Sequence, residues 1–257
     1  MPNAQKLAIG IFVALVVVVV AALLIWLSGE RGDVPAQSEL AVAPVATPVP
    51  TPSLQERLSE RLKGVTLATS DEAIRQLAAG LSSRPELAAW LANEDIVRRF
   101  VASVDTVAEG RSPAQQVEFL RPQTPFATLE RGGGHVIDPA SYHRYDVIAD
   151  VVASLDTEGT IALLEELKPL IDDAYAEIAP PGRTFEERVR LAIDELLEVP
   201  VIEGDVRVEP KVTTYTYSDE TLEGLSSVQR QLLRMGPDNV RKIQAKLREI
   251  KAALPSS

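Results

Sequence analysis

Residues 237–254 read PDNVRKIQAKLREIKAAL. Val240, Ile243, Leu247, Ile250 and Leu254 recur at spacings of three and four, which puts them in one apolar stripe along a helix. Pro237 suits the first helical turn, where no backbone N–H is needed from it. Met235-Gly236-Pro237 then breaks the chain between this helix and one opened by Ser226 or Ser227. The same signals dominate upstream. Thr184 caps a helix whose Val189, Ile193, Leu196 and Leu197 face inward, and Glu187 completes a capping box. Before it, Ile161, Leu164, Ile171, Tyr175 and Ile178 share one face of a longer helix, which Pro169 is expected to kink or split.

Asp138 and Pro139 start a further helix striped by Tyr145, Ile148, Val152 and Leu155. Asn93 is expected to cap one carrying Val97, Phe100, Val104 and Val107, which Gly110 ends. Shorter helices are expected from Pro85 through Leu91 and over 71–79, the latter capped by Ser70, with a short charged one over 54–62. Two stretches look β-like. Residues 126–130 and 135–137 flank Gly132-Gly133-Gly134 as a hairpin. Over 206–217, Thr213, Tyr215 and Tyr217 alternate with Val212, Thr214 and Thr216, and Pro210 makes this an edge or bulged strand. The expected fold class is mainly α, with a small β-hairpin or edge-strand element.

Ahead of this body, residues 7–27 read LAIGIFVALVVVVVAALLIWL, without a charge or a proline. About twenty apolar residues suffice for one transmembrane helix. The apolar core is long for a cleaved leader, and Trp26 and Leu27 stand where small residues would mark the cut, so the segment is expected to be an uncleaved anchor. Trp26 reads either as an interfacial aromatic or as one more apolar helix residue. The expected layout is a flank over 1–6, the anchor over 7–28, a Pro/Ala-rich disordered linker over 29–53 and the α-rich domain over 54–257. Lys6 and the α-amine precede the span, while Glu30, Arg31 and Asp33 follow it. The positive-inside rule then favours a cytoplasmic N-terminus and an external body. Pro44, Pro48, Pro50 and Pro52 block helix and sheet in the linker. That linker reads as a spacer holding the body off the bilayer, or as a connection whose length carries no meaning.

The formal net charge is −11, and the chain after residue 53 holds 24 of the 26 basic and 34 of the 37 acidic side chains. Such a body repels phosphate backbones, so nucleic acid is not an expected partner. There is no cysteine, which removes disulfides, thiol catalysis and thiolate metal sites. His135, Asp138 and His143 fall close together but lack metal-motif spacing, and Asp138 already serves as a helix cap. The glycine run lacks the Lys-Ser/Thr of a phosphate loop. Adjacent pairs such as Glu165-Glu166 and Glu186-Glu187 point apart on a helix, and no Gly-x-Ser-x-Gly elbow is present. No catalytic, cofactor or metal residue is therefore expected.

Tyr142, Arg144 and Tyr145, with Tyr215 and Tyr217, are candidates for a recognition surface, because tyrosine and arginine are enriched at binding sites. Core packing with the hydroxyls at the rim is the competing reading. Arg230, Arg234, Arg241, Lys242, Lys246, Arg248 and Lys251 make the last helices locally basic. They either meet a partner, with Arg241 and Lys242 as its contacts, or pair with the body's own acids.

The runs DIVRRFVASVD (95–105), IDPASYHRYDVI (137–148), PKVTTYTYSD (210–219) and LLRMGPDNVRKIQAKLREIKAAL (232–254) resemble the bacterial family catalogued as domain of unknown function 3014. The likeness extends over nearly all of 70–254. It implies one N-terminal span, a proline-rich linker, one body and an envelope setting, and it supplies no catalytic residue; with the charge bias, the expected location is the inner membrane with the body in the periplasm. The expected function is a non-enzymatic envelope interaction or structural module with a protein or cell-wall partner. The alternative is an envelope hydrolase whose site the sequence does not reveal.

Overall fold

The computed structural model describes residues 62–255, apart from Ala114 and Thr213. The apolar segment over 7–27, the linker and residues 54–61 lie outside the described residues. Within them no helix is long and apolar enough to cross a membrane. The helices are α1 (Ser70–Ala78), α2 (Pro85–Trp90), α3 (Ile96–Ala108), α4 (Asp146–Ala153), α5 (Thr157–Ala176), α6 (Phe185–Leu197), the single turn α7 (Glu220–Glu223), α8 (Ser227–Leu233) and α9 (Pro237–Ala253). The strands are β1 (Thr128–Arg131), β2 (Gly134–Ile137), β3 (Arg207–Pro210) and β4 (Tyr215–Tyr217). The fold is mainly helical with one small sheet.

Helix α9 follows its predicted stripe. Val240, Ile243, Leu247 and Ile250 are buried, and Leu254 is half-buried just beyond the helix end. Each such burial is worth about 1.5–3 kcal/mol. The helix packs against α4, α5 and α6, so its sides are occupied by neighbours. The end of α6 and the turn from α4 into α5 lie against it, and a helix end leaves carbonyls without partners in the helix. Polar side chains of α9 supply the missing donors. The buried Gln244 amide donates to the carbonyls of Leu196, Leu197 and Val199 at 3.1, 3.2 and 2.8 Å, closing the end of α6. The Lys246 ammonium donates to Leu155 O at 2.7 Å and to Thr157 Oγ1 at 3.2 Å, and it pairs with Glu249. It thereby closes the turn from α4 into α5.

The other half of the core joins α3, α5 and α6. Phe185 lies edge-on to both Phe100 and Tyr175, with ring centroids 5.4 and 5.5 Å apart. Arg188, buried on α6, donates to Asp105 Oδ1 at 2.7 Å and to Asp105 O at 2.9 Å near the end of α3. Two predicted caps are assigned differently. Asn93 does not cap α3; its amide donates to Trp90 O at the end of α2. Asp95, at φ 55°, leads into α3 without a side-chain cap, and Asp71 of α1 accepts from the backbone N–H of Asp95 and Ile96 at 2.8 and 2.9 Å. Ser70 in turn donates to Leu67 O and does not cap α1. The capping box of Thr184 and Glu187 is present. Pro169 does not split α5: it is exposed, so the carbonyl it leaves unpaired one turn earlier faces water.

The sheet has the order β1-β2-β3-β4, antiparallel throughout, with Leu129 opposite Val136, Val136 opposite Arg207 and Val208 opposite Tyr217. The predicted hairpin across the glycine run is present. The stretch over 206–217, expected as one strand, is a hairpin: β3 ends on Pro210, which has no N–H to give, and the chain turns back through Lys211 N–H to Thr214 O at 2.8 Å. Tyr215 and Tyr217 thus lie on one strand at the edge of the sheet.

Replacing Gln244 with methionine keeps the length of the side chain and deletes the donors. The variant is expected to lose about 1–3 kcal/mol of folding stability, read from urea unfolding, because buried carbonyls are left unpaired. An unchanged midpoint would show that these carbonyls find other donors.

Candidate functional site

Three pieces of chain meet where the open edge of β4 faces the corner between α8 and α9. The first is the 3-10 turn Pro139–Tyr145, started by Asp138, whose carboxylate accepts from Ala140 N–H at 2.9 Å. In a 3-10 turn residues three apart eclipse, so Tyr142 and Tyr145 lie in one row. The second is the segment leading into β1. The Ser141 hydroxyl ties it to the turn by accepting from Ala127 N–H at 2.8 Å and donating to Ala127 O at 3.0 Å, which holds Phe126 beside Arg144. The third is the corner Arg234-Met235-Gly236. Gly236 adopts φ 84°, and a Cβ placed on it would lie 2.4 Å from the Tyr142 ring. The glycine therefore serves both the left-handed backbone and the close approach of that ring.

Within this seam Tyr145 and Tyr217 are buried, while Tyr142, Arg144, Tyr215 and Arg234 are half-buried. The Arg144 guanidinium lies 5.4 Å from the Phe126 ring centre and 5.1 Å from that of Tyr145. Its Nε donates to Ser141 O at 2.8 Å and its Nη1 to Thr124 O at 3.2 Å. Arg234 lies 5.8 Å from the Tyr217 ring centre and donates from Nη2 to Tyr215 O at 2.9 Å. Phe126 and Tyr215 pack at 5.3 Å. The Tyr217 hydroxyl donates to Arg230 O at 3.0 Å, and its backbone N–H donates to Glu223. Burial pushes the Tyr217 hydroxyl well above the ordinary tyrosine range and raises that of Tyr145. Burial, helped by the charge of Asp205, pushes Tyr142 up to about 12. Burial and then the repulsion of Arg234 lower the proton affinity of Arg144, against the opposing pull of Tyr145.

The five residues proposed from sequence around the tyrosines thus converge, two of them as packed residues and three at the surface. Arg241 and Lys242 do not join them. Arg241 pairs with Asp238 and Glu203, and Lys242 with Asp150 at 2.6 Å. Most of the basic character expected of the last helices is likewise taken up internally, through Lys246 and through Lys251 with Asp194. Two members of the cluster were not singled out by sequence as site residues, Phe126 and Arg234. Arg234 carried a signal: it stands directly before the Met-Gly-Pro corner, which fixes its position at the end of α8.

The histidine and aspartate candidates have separate tasks. His135 pairs across to Val208 in the sheet, Asp138 caps its turn, and His143 contacts Asp146 at 2.7 Å. Burial works against ionisation of Asp146, but Asn239 and His143 hold its carboxyl below the usual range. Among the described residues no group of three such side chains could hold a metal ion. A shallow groove of about 80 Å³ lies elsewhere, between α5, α6 and the chain end, with an apolar wall of Ile161, Leu164, Phe185, Val189 and Leu254. On its rim Lys168 and Asp172 neutralise each other at 2.9 Å.

The family model described as protein of unknown function (DUF3014) matches residues 96–251. The chain belongs to this family. The match takes in α3 through most of α9, and so the whole sheet and every residue of the Arg144 and Arg234 cluster; it is narrower than the 70–254 suggested by the sequence runs. No curated protein and no solved structure matches the chain. For this DUF3014 member, the site therefore rests on its own geometry.

Two outcomes follow for the seam. Gly236→Ala is expected to destabilise more than Gly133→Ala. Both positions have positive φ, and each loses about 1–3 kcal/mol from backbone strain, but the new methyl overlaps Tyr142 only at Gly236. Equal losses in urea unfolding would mean that the ring moves aside freely. The second outcome concerns alkaline pH. Tyr142 ionises near pH 10 when unfolded and near 12 when folded. Its contribution is complete below about pH 10 and is lost as the pH rises toward 12. Tyr142→Phe is expected to flatten that part of the decline in melting temperature, and an identical slope would contradict the burial of this hydroxyl.

Proposed function

We propose that the chain is a membrane-anchored, non-enzymatic interaction module of the bacterial envelope, with its body on the periplasmic side of the inner membrane. The observation that carries the interaction reading is the Arg144 and Arg234 seam. Half-buried tyrosines and guanidiniums gather there at the surface, the combination that dominates recognition patches. The groove beside α5 has an apolar wall, and of the charges around it Lys168 and Asp172 are paired. The anchored setting is supported by the uncharged stretch over 7–27, by the charge bias across it, and by the proline-rich linker that follows.

Topology is the decisive test. A reporter active only outside the cytoplasm, fused after Ser257, is expected to be active, and one that fluoresces only in the cytoplasm to stay dark. Both fusions should remain in the membrane fraction after carbonate washing. Cytoplasmic fluorescence, or release of the chain by the wash, would overturn the anchored envelope module.

A further inference from the structure

We infer that Arg144 and Arg234 form a seat for one carboxylate of a peptide partner, with the Phe126 and Tyr215 rings as a shelf for an apolar group beside it. The inference rests on the interaction reading above and names the chemistry recognised. It begins with an accounting of charge. The chain has 37 acidic side chains against 26 basic ones, and many of its arginines use that excess. Arg84 meets Asp150 at 2.6 Å, Arg98 meets Glu177 at 2.7 Å and Arg188 meets Asp105 at 2.7 Å. Among the described residues, Arg144 and Arg234 are in no ion pair, and both border the packed Phe126 and Tyr215 rings, Arg144 over Phe126 and Arg234 donating to Tyr215 O.

Their donors are also underused. A guanidinium carries five N–H groups in a fixed fork. Arg144 reaches two backbone oxygens and Arg234 one. The Nη2 of Arg144 is buried and has no hydrogen-bond acceptor. That buried donor is closed to a ligand from solvent, so the seat uses the accessible remainder of the two half-buried guanidiniums. Charge-assisted hydrogen bonds from such a fork suit the planar oxygens of a carboxylate. The aromatic walls hold the forks in place: Phe126 and Tyr145 lie by Arg144, and Tyr217 lies by Arg234. The seat is therefore organised before any ligand arrives, which lowers the entropy lost on binding.

The surroundings select the kind of anion. A body with a net charge of −11 repels a polyanion at long range, which disfavours nucleic acid and other strings of phosphates. A single negative charge suffers little from that field and gains the local pair of cations. The contact between Phe126 and Tyr215 at 5.3 Å offers apolar surface directly beside Arg144, which suits a carboxylate attached to an apolar residue. A chain-terminal carboxylate and an acidic side chain present the same group.

The test uses the full chain in detergent micelles and small probes whose binding is read by calorimetry. The probes are N-acetylphenylalanine, which carries a terminal carboxylate; its neutral amide; the N-methylamide of N-acetylaspartate, which carries a side-chain carboxylate; and inorganic phosphate. The terminal acid is expected to bind at millimolar concentration and the amide not at all. Tighter binding of the aspartate probe than of the phenylalanine acid would assign the carboxylate to a side chain, and the reverse to a chain end; both support the seat. Arg234→Gln and Arg144→Gln are expected to weaken acid binding about tenfold or more, since each removes half of the charge-assisted contact. Arg234→Lys, which keeps the charge but loses the fork, should fall between. Arg241→Gln, outside the seam, should bind as the parent does.

Circular dichroism of each variant separates loss of the seat from loss of the fold. Should Arg144→Gln not fold, the Arg234 variants carry the test alone. Equal binding of acid and amide, unchanged binding by folded Arg234→Gln, or phosphate binding as tightly as the acid would each overturn the carboxylate seat. None of these outcomes depends on topology, so the seat can fail while the anchored module stands, and the reverse.

Discussion

Helices that end inside a protein leave carbonyls and N–H groups that water cannot reach, and this constraint organises the domain. Helix α9 is the main answer to it. Its apolar stripe would by itself allow the helix to slide or rotate against α4, α5 and α6. Gln244 removes that freedom, because its amide must meet the final carbonyls of α6, and Lys246 does the same at the turn between α4 and α5. Asn239 adds a third fixed point, with its amide reaching Tyr142 O at 3.1 Å and Asp146 Oδ1 at 3.0 Å. Hydrophobic burial brings these helices together, and the polar contacts select one register among many of similar area. Asp71 and Arg188 repeat the principle around α3, where the cap and the closing cation come from α1 and α6.

That register also places the seam of arginines and tyrosines. Asn239 holds the turn carrying Tyr142, and Gly236 lets the ring approach the backbone; Arg234 follows from the same corner. Some cations find carboxylates within the domain, as Arg84, Arg98 and Lys242 do, and such surface pairs contribute little to stability. Others, Arg99 and Arg230 among them, donate to backbone carbonyls instead. At the seam two guanidiniums face carbonyl oxygens and aromatic rings. Each ring contact is worth about 0.5–2 kcal/mol and repays part of the desolvation.

What could be read from the sequence was what is local in it. The stripe of α9 and the box of Thr184 and Glu187 are set by residues within a turn or two of each other, and both are present. The start of the turn that holds Tyr142, Arg144 and Tyr145, at Asp138 and Pro139, was legible for the same reason, although a 3-10 turn precedes α4 where one helix was expected. The cap of α3 was not, since Asp71 lies 24 residues before Asp95 and only tertiary packing brings it there. Proline misled twice. Pro169 suggested a break, but an exposed site tolerates an unpaired carbonyl, while Pro210 marked the end of a strand where a continuous one was expected. Arg234 belongs to the seam only because β4 folds back beside α8, and no spacing along the chain encodes that juxtaposition.

The edge of β4 has a bearing on self-association. Its outward-facing groups are the N–H and C=O of Tyr215 and Tyr217; Arg234 holds Tyr215 O at 2.9 Å and Glu223 holds Tyr217 N–H at 2.8 Å. An incoming strand would have to displace both charged side chains to complete its ladder. Exposed strand edges are templates for fibrils and for domain exchange. On this one the two held groups interrupt the row that a templated strand would need, so the side chains of Arg234 and Glu223 guard the sheet against copies of itself from that side.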